Sequence, residues 1–164
     1  MIPLDNAGLV LMNGYFQPLF ERLGLIENRS FVSDQAQKRA AMYLHFLVTG
    51  LEKAEDHMLA LNKMLCGLAP DTPCPLSIDI TTDEQQLIES LINSVIAHWN
   101  AIGESSIDGF RGVWLVREGR LQSDESTWSL TVQKRSYDIL LQRAPFQYSI
   151  VTLPWIPEPI HVAW

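Results

Sequence analysis

Residues 128–134, WSLTVQK, place Trp128, Leu130 and Val132 on one side of an extended chain and Ser129, Thr131 and Gln133 on the other. Alternation with a period of two is the mark of a strand with one buried face. The stretch decides the fold because the sequence before residue 103 keeps a different period. In residues 81–103, TTDEQQLIESLINSVIAHWNAIG, the apolar Leu87, Ile88, Leu91, Ile92, Val95, Trp99 and Ile102 recur as on one face of a helix. Helices first and strands later predict an α+β domain rather than alternating βαβ units.

Outward from residue 128, VREGRLQ (116–122) is a second alternating run with a turn signal at Glu118 and Gly119. Residues 105–116 hold a short helix, residues 136–146 a helical turn or two, and residues 148–155 and 160–164 read as closing strands. Pro154, Pro157 and Pro159 confine those strands to an edge or to short pairings, because proline has no N–H to give to a ladder. Towards the N-terminus, the full apolar face of residues 81–103 is expected to be the central core helix, capped by Thr81 or Thr82 with Glu84 or Gln85 completing a capping box. Another helix is expected from Ser33 or Asp34 to Gly50, with Ala36, Ala40, Leu44, Leu47 and Val48 as its stripe. Residues 15–24 predict one more, with Pro18 in its first turn and Gly24 as its stop, after a break at Asn13 and Gly14. Residues 59–70, LALNKMLCGLAP, predict a helix over about 58–68 behind a solvated connection at 51–57. Its Leu61, Met64, Leu65 and Leu68 suit packing against the central helix. The expected architecture is α+β: an N-terminal helical part of about four helices in residues 1–103, packed with a small C-terminal antiparallel sheet in residues 104–164, as one globular domain.

The totals exclude several classes. Of 164 residues 47% are hydrophobic, enough for a sizeable core, and the net charge of -7 comes from acids that outnumber bases in both halves. The bases are scattered, so no nucleic acid is expected as a partner, because such affinity needs clustered cations. The apolar run at residues 6–20 contains Asn13, Gly14 and Pro18 and falls short of the ~20 apolar residues that span a bilayer. No basic segment precedes it, so neither a signal peptide nor membrane insertion is expected, and the localisation follows as cytoplasmic. Cys66 and Cys74 are expected as free thiols. His45, His57, His98 and His161 are far apart, and Gly103, Gly109 and Gly112 make neither GxGxxG nor a Walker spacing. No metal and no cofactor are expected.

Lys63 and Cys66 share an apolar stretch in which a desolvated lysine or thiol can become a nucleophile. The expected state is plainer: a lysine stem on the surface with its ammonium in water, and a cysteine behaving as a small hydrophobe. Asn62, between a leucine and that lysine, is expected to brace helix to loop through its amide. His98 at the edge of the apolar arc, with Ser105 or Ser106 and the acids Glu104 and Asp108 downstream, sketches a small hydrolase-like enzyme, but no GxSxG elbow supports it. The tryptophans at 99, 114, 128, 155 and 164 come with few bases and suit core and contact roles. Residues 149–164 are apolar up to Trp164 and are expected to dock on their own domain, with some exposed residue left for contact.

NAGLVLM, LFERLGL, YLHFLVTG, LNKMLCGL, His98–Trp99, LPW and the final VAW follow one another in this order along nearly the whole chain. In that ordered set the chain resembles the terminal domain of the tape measure proteins of contractile injection systems, phage-tail-like particles that drive a tube through a target envelope. Ala144, Pro145 and Phe146 stand where the family often carries a second Leu-Pro-Trp-like element. The resemblance implies a structural, non-enzymatic assembly role, with inner-tube, spike or baseplate proteins as partners and a place in the assembled particle. Its motifs make Leu61, Asn62, Lys63, Gly67, His98, Trp99, Leu153, Pro154, Trp155 and Trp164 the candidate interface residues. At 1.5 Å per helical residue the chain reaches roughly 250 Å at most, so it is expected to be the globular end of a longer tape measure protein. A third reading is an adaptor that binds cargo or a partner by adding a strand to the C-terminal sheet.

Overall fold

The computed structural model describes residues 1–125 and 127–164. Ser33 has an extended backbone and its hydroxyl accepts a hydrogen bond from the Ala36 N–H at 3.0 Å, which starts helix α2 (Asp34–Thr49). Gly50, at φ 72°, ends it in the left-handed conformation, with its N–H bonded to Phe46 O. Every residue from 40 to 48 is buried, so the stripe read from the sequence is too narrow: over those residues α2 is covered all round, as an interior helix is. It takes the central place expected of the helix after Thr81. That helix, α4 (Thr82–His98), buries Ile88, Ile92, Val95 and Ile96 and leaves Leu87 and Leu91 half-buried, because it lies on the flank with one face covered. Its capping box forms as expected, with Thr81 and Glu84 bonded reciprocally. The second Glu84 oxygen accepts from Tyr43 OH at 2.6 Å and ties α4 to α2. Burial, with that carboxylate beside it, pushes the Tyr43 phenol up to about 12.

Around α2 sit the other helical elements. A 3-10 helix (Ala7–Tyr15) runs straight into α1 (Phe16–Arg22), with no break at Asn13 and Gly14. The Asn13 amide is absorbed there, since its Nδ2 donates to Val10 O at 2.7 Å and to Gln147 O at 2.9 Å. A small hairpin of β2 (Ile26–Glu27) and β3 (Ser30–Phe31) leads into α2. The 59–70 stretch forms a shorter helix than its periodicity predicts, a 3-10 turn (Asp56–Leu59) followed by α3 (Ala60–Leu65). α3 packs mainly on α2 and on the first strand rather than on α4. A short α5 (Ile107–Phe110), capped by Ser106, passes into a wider π-helical turn (Arg111–Leu115).

The α+β class holds, with a sheet richer than expected. Its order is β1 (Ile2–Leu4), β4 (Gly119–Asp124), β5 (Thr127–Val132), β7 (Ile160–Ala163), β6 (Ile150–Val151). It is mixed rather than wholly antiparallel, because β7 enters between β5 and β6 and pairs parallel to β5 while antiparallel to β6. It also recruits the N-terminal β1 against β4, so it is not confined to residues 104–164. The β4–β5 pairing runs out to Asp124 and Thr127, with Glu125 at φ 59°, so the chain does not turn back at Glu118 and Gly119. Gly119 is the first residue of β4, held between Leu4 and Val132. Leu130 and Val132 are buried and Trp128 half-buried, as their alternation requires.

Candidate functional site

The motif residues converge where α3 meets the C-terminal segment. Leu61 and Asn62 are fully buried. Asn62 Nδ2 donates to Ala41 O at 3.0 Å, which obliges its Oδ1 to act as acceptor, and that oxygen takes a bond from Asn6 Nδ2 at 2.7 Å. One amide thus joins α3, α2 and the entry to the first 3-10 helix. Lys63 is a correction to the expectation of a solvated ammonium: its side chain is 0% exposed. The chain folds back on both sides of it, so that Asp56 Oδ1, seven residues before, lies 2.9 Å from Nζ and Pro70 O, seven residues after, lies at 3.4 Å. A buried charge persists where it is paired in this way.

Cys66 is buried and Cys74 half-buried, and both are free. Burial pushes the Cys66 thiol well above its ordinary value, which removes the thiolate that reactivity needs. Gly67 has φ 79°, and a Cβ there would stand 2.5 Å from Trp155 O. The loop therefore lies flat on the LPW segment. Trp155 Nε1 donates to Leu65 O at 2.8 Å, and its ring packs on Phe20 and Phe31 with centroids at 5.6 and 5.4 Å. Leu153 is buried, and Pro154 is exposed beside it.

The other motifs go elsewhere. Trp99 is fully buried, its Nε1 donating to Leu140 O at 3.1 Å and its ring against Trp114 at 4.5 Å. His98 faces outward, with Nδ1 2.9 Å from Ser94 O, and lines a shallow depression with Asn100, Ala101 and Arg143. Ser105 and Ser106 line a different one with Glu104 and Ile96. Ser105 Oγ donates to Ser106 O, and Ser106 Oγ accepts from Gly109 N as the cap of α5. The structure does not bring His98 and these serines into one site.

Trp164 belongs to a second buried node that the sequence reading missed. Its Nε1 donates to Asp138 Oδ2 at 2.8 Å, and the same oxygen accepts from Arg117 Nη1 and from Arg135 N, each at 2.8 Å. The Arg117 guanidinium also reaches Gln133 O and Val113 O, and it faces Trp164, Tyr137 and Trp114 with ring centroids at 5.2, 5.4 and 5.8 Å. Burial works to raise the Asp138 carboxyl, but the hydrogen bonds from Arg117, the Arg135 N–H and the indole outweigh it and hold it below its ordinary value. No local pattern announces this node, because Asp138 lies 21 residues from Arg117 and 26 from Trp164.

Two apolar grooves remain open. One, about 190 Å³, runs between Leu4, Val48, Met58 and Val116. The other, about 330 Å³, lies between the loop after α3 and the segment leading into β7. Among the described residues no helix is long and apolar enough to cross a membrane, and no cluster of His, Cys, Asp and Glu is placed to hold a metal ion. Among the described residues the motif side chains form braces and apolar surfaces. No curated protein and no solved structure matches the chain. A family model described as contractile injection system tape measure protein matches residues 1–164, and the chain belongs to that family.

Proposed function

We propose that this domain is a non-enzymatic anchor, which holds one end of a longer tape on an inner-tube, spike or baseplate protein while the particle assembles in the cytoplasm. The observation that carries the reading is the match of the whole chain to the tape measure family, a family of structural particle components rather than enzymes. The geometry supports it from the other side. Asn62, Lys63, Trp99, Trp155 and Trp164 make their polar contacts inside the fold, which leaves exposed apolar side chains for docking. Met58 and Val116, 42% and 45% exposed, flank the first groove. Contacts of this kind, apolar within a polar rim, are what a docking surface offers.

Deleting the domain from the tape in particle-producing cells is expected to abolish particles or to change their length and yield, read by electron microscopy. The tagged domain is expected to capture a tube, spike or baseplate protein from the same cells. Normal particles without the domain, together with no such capture, would sink the reading.

A second reading has its own observation. Val162 N donates to Ser149 O at 2.8 Å, so that pair is the bonded one and the adjacent Ile150·His161 pair is not. The backbone groups of Ile150, whose side chain is 43% exposed, therefore face the open edge of the sheet, where a partner strand can add. Slowed amide exchange at Ile150 in the presence of a captured partner supports strand addition, and unchanged exchange rejects it.

A further inference from the structure

We infer that the groove between residues 66–70 and 156–160 binds an extended, proline-containing segment of a partner that carries a basic residue. The inference rests on the docking reading above and names the chemistry of one docking site. Three features of the groove select this occupant.

The walls are held by contacts within the fold. Gly67 lies against Trp155 O, Trp155 Nε1 is bonded to Leu65 O, and Lys63 Nζ reaches Pro70 O, so both sides are held before any ligand arrives. Pro70 and Pro157 stand on the two sides and have no N–H, which makes the lining a surface of C–H groups from Leu68, Pro70, Ile156 and Pro157. Such apolar, proline-bearing walls fit a polyproline-type segment, which brings no ladder of its own.

The lining includes an aromatic residue whose indole N–H is not bonded among the described residues. The indole N–H groups of Trp99, Trp155 and Trp164 are all bonded to acceptors within the fold. Trp128 lines the groove half-buried, and its Nε1 has no acceptor among the described residues. An aromatic face with an indole N–H beside it binds proline rings and takes the outward carbonyl of an extended chain. An amphipathic helix, whose carbonyls are already bonded, has nothing to give that donor.

The charge is acidic. Glu158 is the charged residue that lines the groove, exposed at its rim, in a chain of net charge -7. A lysine or arginine next to the apolar part of the ligand is complementary to it, and an acidic ligand is repelled.

The test uses the ¹⁵N-labelled full chain and three synthetic decapeptides: one of proline and leucine with two arginines, one with both arginines replaced by glutamate, and a helix-forming alanine-leucine peptide with two arginines. Expected is a saturable shift of the Trp128 indole resonance with the first peptide and weaker binding of the other two. Trp128→Phe, which keeps a ring but removes the N–H, is expected to weaken the first peptide about fivefold. Glu158→Lys, at an exposed position that leaves the fold intact, is expected to reverse the preference between arginine and glutamate peptides, each changing by about fivefold in low salt.

The inference is overturned by no shift at Trp128 at millimolar peptide, by equal binding of the arginine and glutamate peptides, or by tighter binding of the helical one. Capture of a tube, spike or baseplate protein separates this claim from the one beneath it. If Glu158→Lys and Trp128→Phe capture it as the wild type does, the groove is not the docking site and the inference fails while the docking reading stands. If the wild type captures none and yet binds the first peptide at Trp128, the docking reading fails and the groove's ligand chemistry stands.

Discussion

A buried polar node in the helical half and another in the sheet half are built differently. In the helical half Asn62 joins Asn6 and Ala41 through neutral amides. In the sheet half Arg117 and Asp138 form an ion pair enclosed by three aromatic rings, and Trp164 closes it. A neutral node is indifferent to pH and loses the same energy at any pH when broken. A charged one is held by one carboxylate whose protonation undoes it. The helical part has an ion pair of its own, Lys63–Asp56, but its carboxylate is exposed, whereas Asp138 at the C-terminal end is enclosed with its cation.

Breaking the charged node has the largest expected effect. Arg117→Met removes the partner of a buried carboxylate and is expected to destabilise the domain by about 3–5 kcal/mol in urea denaturation. Asn62→Ala strands the Asn6 Nδ2 and opens a void beside the Ala41 carbonyl, with an expected loss of about 2–3 kcal/mol and a melting temperature lower by several degrees. An unchanged melting curve would show that the amide bridge is not a brace. Trp164→Phe keeps a ring over Arg117 but removes the indole N–H from Asp138, for about 1–2 kcal/mol.

The smallest effect sharpens the contrast most. The folded Asp138 carboxyl lies below its unfolded value, so its stabilisation is complete above the ordinary aspartate range and is lost as pH falls through the lowered folded value. Asn62→Ala is expected to retain the whole of that acid loss, whereas Trp164→Phe, with one donor fewer on the carboxylate, shows less of it. Denaturation measured from neutral pH into acid distinguishes the two. An equal acid dependence in wild type and Trp164→Phe would remove the indole from the node.

What was legible in the sequence was local. Ser33, Gly50 and the Thr81–Glu84 box act within one helical turn of their targets, so residue type and spacing suffice to place them. The alternation of Trp128, Leu130 and Val132 likewise reports one face of one strand. The central role of α2 was hidden, because its Ala41, Tyr43 and His45 do not read as core in a one-sided pattern although neighbours cover them all. The parallel pairing of β5 with β7 and the recruitment of β1 depend on partners far along the chain. In the site, Asn62 was visible as a polar residue among leucines, but Asn6 and Asp56, which give Asn62 and Lys63 their partners, were not. Lys63 misled for the same reason: a lysine stem goes to the surface unless a distant fold-back supplies an acid and a carbonyl above it.

Photo-cross-linking within assembled particles tests the central claim, that this domain is an anchor on particle proteins, most directly. With a photoreactive residue in place of Met58, Ile150 or Ile156 in turn, the account predicts a defined adduct to an inner-tube, spike or baseplate protein from at least one position. Intact particles that contain the domain and give no adduct to any of these proteins from all three positions would contradict it.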